Sequence, residues 1–151
     1  MLWATVHQDS LTQLGDAAFS GCSGLQSIAL PPGLVAIPKE AFRECDHLFP
    51  LPDSLTQLGE PSLVTIPKEA FSECDHLAEI HFHDGLTTIG SRAFYLCTAL
   101  TSITLPDSLT QLGDAAFSGC SGLQSIALPP GLVAIPKEAF RECDHLSEIH
   151  F

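Results

Sequence analysis

Cysteine stands at positions 22, 45, 74, 97, 120 and 143, and three of the six belong to the tetrapeptide Glu-Cys-Asp-His at 44–47, 73–76 and 142–145. A thiol beside an imidazole and a carboxylate is the raw material of a cysteine nucleophile with its base, or of a zinc site. The arrangement disfavours both. Catalysis needs groups that converge, whereas adjacent residues on one strand or turn point in different directions. A zinc site of the common kind needs closely spaced pairs such as Cys-x-x-Cys, and the chain has none. Equivalent thiols one period apart would stack about 4.8 Å apart with nearly parallel side chains. A disulfide instead wants its Cβ atoms at about 3.8 Å with a defined dihedral. The expected state is a ladder of buried, reduced thiols that act as small hydrophobes with a weak donor. His47 and His76, with Asp46 and Asp75, come from neighbouring units, and imidazole with carboxylate suits Zn²⁺ or similar ions. The simpler expectation is exposed turn residues, so no catalytic residue, metal or cofactor is assigned.

The elements that carry these residues follow from their period. A phenylalanine precedes every cysteine by three positions. From Leu100 to Gly122 the unit reads Leu-x-x-Ile-x-Leu-Pro-x-x-Leu-x-x-Leu-Gly-x-x-Ala-Phe-x-x-Cys-x-x, 23 residues, and Leu123 opens the next. Residues 9–48 and 107–146 are identical letter for letter. A unit this short cannot bury its own apolar face and becomes stable only by stacking on its neighbours. The chain therefore reads as one domain, 1–151, of about six units. One unit is irregular: Cys45 and Cys74 are 29 apart, and Asp53–Glu60 repeats the turn segment of Asp9–Gly15 and Asp107–Gly113. A surface loop of that length costs little extra closure entropy, so an interruption without a break is expected.

Leu123-Gln124-Ser125-Ile126-Ala127-Leu128 alternates large apolar with small or polar residues over its last four positions, as a half-buried strand does. Pro129-Pro130-Gly131 or Pro106-Asp107-Ser108 then supplies turn chemistry. Ile135-Pro136-Lys137-Glu138 puts a proline and an acid where a helix would begin, which predicts short helical or 3-10 turns on the convex side.

The pattern resembles the leucine-rich repeats of the BspA-like class, whose unit runs Leu-x-x-Ile-x-Leu-Pro-x-x-Leu-x-x-Ile-Gly-x-x-Ala-Phe-x-x-Cys. The match runs from about Ser10 to Phe151, with prolines 38, 67 and 136 in place of glycine. The resemblance implies an α/β fold, a right-handed solenoid with a parallel concave sheet, and a surface molecule, extracellular or cell-surface, that binds other proteins. A fold alone does not fix function.

Composition bounds what can be recognised. Net charge is −12 with six Lys and Arg, which disfavours nucleic acid, because phosphate binding depends on clustered cations. No apolar run approaches the roughly twenty residues of a membrane span, and Met1–Val6 lacks the features of a signal peptide. Neither end carries a polar capping segment. That predicts a piece of a larger array, or ends that meet another chain, including end-to-end self-association through unpaired strands.

The strand residues flanking the inner Ile should face outward on the concave side. They are Ser27 and Ala29, Glu79 and His81, Ser102 and Thr104, Ser125 and Ala127, and Glu148 and His150. These ten form the candidate surface for a protein or glycan ligand. Tight interfaces usually centre on Trp, Tyr or Arg, and Trp3, Tyr95 and Arg92 all lie outside it. The expected function is thus a non-enzymatic scaffold that binds through many weak contacts, and the alternative is a structural spacer that stacks end to end.

Overall fold

The computed structural model describes residues 12–26, 28, 36–48, 64–82 and 84–151, with only the backbone of His81. Among the described residues there are seven short strands, β1 (Thr65–Ile66), β2 (Glu79–His81), β3 (Thr88–Ile89), β4 (Ser102–Thr104), β5 (Gln111–Leu112), β6 (Ser125–Ala127) and β7 (Glu148–His150). All pairings are parallel. β2, β4, β6 and β7 form a four-stranded sheet in that order, and β1, β3 and β5 form a three-stranded one. The first is the sheet expected from the Leu-x-x-Ile-x-Leu segments. The second was not legible in the sequence. In its strands Ile66, Ile89 and Leu112 are buried, and their chain neighbours Thr65 and Gln111 are exposed. Two-residue strands alternate too briefly to declare a period.

Within the four-stranded sheet the register places Glu79 opposite Ser102, Ile80 opposite Ile103 and His81 opposite Thr104. Thr104 then faces Ala127, and Ser125, Ile126 and Ala127 face Glu148, Ile149 and His150. Like positions are stacked on like positions, so the apolar residue of each strand adds to one inner column.

The expected helical turns are absent among the described residues, and the backbone shows why. In each of six coils the residue before Ala-Phe and the second residue after it have positive φ: Ala17 and Gly21, Glu40 and Glu44, Glu69 and Glu73, Arg92 and Leu96, Ala115 and Gly119, Glu138 and Glu142. A right-handed helix cannot pass through such residues. The amide hydrogens are spent differently. Those of Glu40, Phe42 and Glu44 donate across to the carbonyls of Lys68, Ala70 and Ser72 on the next coil, at 3.1, 2.9 and 2.9 Å. Between them, Arg43 donates back to Glu40 within its own coil at 3.2 Å. The segment is a run of tight turns stitched coil to coil, which satisfies the backbone as completely as a helix would.

The core is a set of columns inside this double stitching. Phe19, Phe42, Phe71, Phe94, Phe117 and Phe140 stack face to face with ring centres 5.4–5.7 Å apart and planes within 7° of parallel. Phe82 closes on the edge of Phe94 at 5.9 Å. Ala41, Ala70, Ala93, Ala116 and Ala139 are buried beside them, as are Leu48, Leu77, Leu100 and Leu123. Each buried Leu, Ile or Phe contributes roughly 1.5–3 kcal/mol relative to exposure.

Candidate functional site

The three copies of Glu-Cys-Asp-His fall on the corner between the stitched turns and the strand. In each copy the thiol turns inward. Cys45 donates to the carbonyl of Phe19 at 3.1 Å, Cys74 to Phe42 at 3.1 Å, Cys97 to Phe71 at 3.2 Å, Cys120 to Phe94 at 3.1 Å and Cys143 to Phe117 at 3.1 Å. The repeated cysteine thus caps a phenylalanine carbonyl of the preceding coil, as a weak donor in an apolar wall. All six thiols are free, and Cys22 alone is exposed. Burial pushes the thiols up: Cys45 and Cys143 to about 11, Cys74 to about 12, and Cys97 and Cys120 further still. A thiol held in this way is a poor nucleophile, because the thiolate is the reactive form. The imidazoles of the same tetrapeptides are exposed, so thiol and ring face different surroundings and form no pair.

The ten candidate ligand-binding residues divide by what is described. Ser27 and Ala29 lie outside the described residues, and His81 is placed by its backbone on β2 opposite Thr104. Glu79, Ser102, Thr104, Ala127, Glu148 and His150 are exposed, and Ser125 is half-buried. Strand pairing lines them up in two rows, Glu79, Ser102, Ser125 and Glu148 in one and His81, Thr104, Ala127 and His150 in the other. The middle strands carry hydroxyls and a methyl, whereas both outer strands read Glu-Ile-His. On β7 the imidazole of His150 lies 3.5 Å from the Glu148 carboxylate. The result is a low polar floor with the Glu79 carboxylate on one border and the Glu148 carboxylate and His150 imidazole on the other.

The structure brings together two residues that the sequence left apart. Arg92 places its guanidinium 5.6 Å above the Tyr95 ring on the turn side of the solenoid. Beside it lies an open polar cleft of about 470 Å³ lined by Lys68, Ser91, Arg92, Asp114, Ala115, Lys137 and Glu138. The signal was available only as a column read down every unit, because the lining residues are about 23 apart in the chain. A second cleft, of about 350 Å³, opens at the last coil among Leu128, Pro129, Pro130, Leu132, Val133, Ala134, Ile135 and Phe151. Phe151 there is 96% exposed and Val133 87%.

With the columns and ladders in view, the comparison with known proteins is decisive. A model of the BspA type leucine rich repeat region matches in six copies, over residues 2–63 and 49–151. The chain belongs to that family. Among solved structures, the BspA-type chain is similar to a leucine-rich repeat protein of T. pallidum, at 32% identity and a TM-score of 0.81, covering 93% of this chain and 63% of that one. It is also similar to a leucine-rich repeat protein from Bacteroides ovatus, at 32% identity and a TM-score of 0.69, covering 93% of this chain and 41% of that one. The BspA-type array described here thus spans about three fifths and two fifths of these relatives. Among curated proteins none matches.

Proposed function

We propose that this leucine-rich repeat scaffold is a non-enzymatic recognition module that offers its four-stranded sheet to a protein or glycan ligand, at an extracellular or cell-surface location. The supporting observation is the in-register stacking of β2, β4, β6 and β7, which leaves Glu79, Ser102, Thr104, Ala127, Glu148 and His150 exposed. Small side chains at Ser102, Thr104, Ser125 and Ala127 let a ligand approach the sheet closely, and Glu79 and Glu148 supply charge at its borders. With no Trp, Tyr or Arg in either row, each coil contributes little, and affinity accumulates over several coils.

The reading is tested by screening the purified chain against a glycan array and a displayed peptide library. Each hit is then challenged with Ala127→Arg, which fills the floor of the sheet, and with Lys137→Glu on the turn side. Binding lost in the first variant and kept in the second supports the sheet. The reverse pattern moves recognition to the cleft beside Arg92 and Tyr95.

A second reading has its own observation. The apolar cleft at the last coil, with Val133, Ile135, Ile149 and Phe151 exposed, suits end-to-end assembly of copies. Sedimentation over a dilution series separates the two readings, since an assembling spacer shrinks on dilution and loses that behaviour when Val133 is changed to Asp.

A further inference from the structure

One tetrapeptide occurs three times and meets three different neighbourhoods. Following its histidine position through the array gives Gly24, His47, His76, Ala99, Gly122 and His145. Stacking therefore sets His47 and His76 side by side, and leaves His145 next to a glycine. The third copy is tied to the coil beside it while staying exposed: its Nδ1 lies 2.6 Å from the Ser121 carbonyl oxygen, so that nitrogen carries the proton and donates it. The other two rings face each other instead, with centres 4.7 Å apart and planes inclined at 47°. Both are exposed to solvent.

That separation matches shared coordination. With metal–nitrogen bonds of about 2.0–2.1 Å and roughly another 1.1 Å from nitrogen to ring centre, two imidazoles on one ion at about 90–110° have centres roughly 4.5–5.2 Å apart. The two rings already stand within this interval. A tilt of this size also departs from the near-parallel stack that Phe42 and Phe71, on the same two coils, adopt at 7°. The preceding residues, Asp46 and Asp75, are carboxylates on the same two coils. They keep the local potential favourable to a cation.

We infer that His47 and His76 form a two-imidazole site for a borderline divalent transition-metal ion, of the class of Zn²⁺, Ni²⁺ or Cu²⁺. Imidazole is the ligand this class prefers among nitrogen donors. Among the described residues no group of three or more His, Cys, Asp and Glu gathers as a metal cage, so two protein ligands hold the ion and water completes the shell. The position gives the site a structural consequence. His47 and His76 stand on the coils either side of the 29-residue unit, and an ion shared between them clips those coils together. A ligand that binds the folded chain and not the unfolded one raises its stability by mass action.

The experiment uses untagged protein with Zn²⁺ and, separately, Ni²⁺, followed by calorimetric titration and by thermal denaturation with and without metal. His47→Ala and His76→Ala are each expected to weaken binding at least tenfold, whereas His145→Ala binds as the parent does. The metal-induced rise in melting temperature should persist in His145→Ala and vanish in His76→Ala. All three substitutions remove exposed rings, and the remaining histidines are common to every variant. The inference is overturned if the parent binds neither ion, if His145→Ala weakens binding as much as the other two, or if His47→Ala and His76→Ala bind undiminished. None of these outcomes bears on recognition through the sheet.

Discussion

Phe42 and Phe71 lie 29 positions apart in the chain, and their ring centres stand 5.4 Å apart with planes 7° from parallel. Phe94 and Phe117, only 23 positions apart, stack at 5.4 Å as well. The aromatic column is therefore in step on both sides of the irregular unit, whose Asp53–Glu60 segment lies outside the described residues. The stitched turns agree, because Glu40, Phe42 and Glu44 donate across the same junction at 2.9–3.1 Å. The ring column and the stitched turns thus join the two coils on either side of the place where the repeat loses its period.

Removing one ring from a regular stretch of that column should be costly. Phe94 is fully buried between Phe71 and Phe117, with Phe82 on its edge. Phe94→Ala is expected to lose about 3–5 kcal/mol, from the lost burial plus the cavity left between two stacked neighbours. Urea denaturation measures it, and a loss below about 1 kcal/mol would contradict the packing role.

The thiol ladder predicts a stability limit on the alkaline side. Burial disfavours the thiolate, so the folded protein holds Cys45 and Cys143 at about 11 and Cys74 at about 12, while an unfolded thiol ionises near about 8.5. A group raised on folding stabilises fully below its unfolded value and loses that contribution as pH climbs toward the folded one. The urea midpoint should thus decline between about pH 8.5 and 11. Native labelling with a thiol reagent at pH 8 should modify the exposed Cys22 quickly and leave Cys74, Cys97 and Cys120 intact. Equal reaction of all six would overturn the ladder.

The positive-φ positions make a prediction of the opposite sign. Glu142 has φ of +58°, a region that costs a residue with a Cβ about 1–2 kcal/mol. Its side chain is exposed and, among the described residues, pairs with Arg141 at 3.1 Å, a contact worth little at a surface. Glu142→Gly should stabilise by about 0.5–1 kcal/mol after the greater freedom of glycine in the unfolded chain is offset. A fall in melting temperature would argue against this backbone conformation.

Gly90 and Gly113 show where glycine is required for a different reason. A Cβ on Gly90 would sit 2.6 Å from the backbone nitrogen of Lys68, and one on Gly113 would overlap the backbone of Ser91. These are the corners at which successive coils come closest. Gly113→Ala should cost about 1–3 kcal/mol, the usual penalty of overpacking. No measurable change would mean that the coils stand further apart at this corner.

Much of this was legible before any coordinates, for identifiable reasons. Phe-x-x-Cys recurs at fixed spacing because each Phe and Cys must meet its equivalent on the next coil, so the column was written in the period. The outward placement of Ser102, Thr104 and Glu148 followed from alternation around Ile103 and Ile149. The turn segment was misread. Pro136, Lys137 and Glu138 carry helix-start chemistry, but the hydrogen bonds that decide the backbone run to other coils, and no local pattern records them. The second sheet was hidden by the brevity of its strands. The Arg92 and Tyr95 contact was equally obscure, since Tyr95 is the one tyrosine of the chain and the other units carry Ala or Glu in the slot of Arg92.

Whether the coils form one continuous array across the irregular unit is settled most directly by amide hydrogen exchange at Glu40, Phe42 and Glu44. Continuity predicts protection as strong as at Glu69, Phe71 and Glu73, which make the same contacts within the regular stretch. Exchange at Glu40, Phe42 and Glu44 as fast as in an exposed loop, with the other three still protected, would mean that the array breaks at this junction.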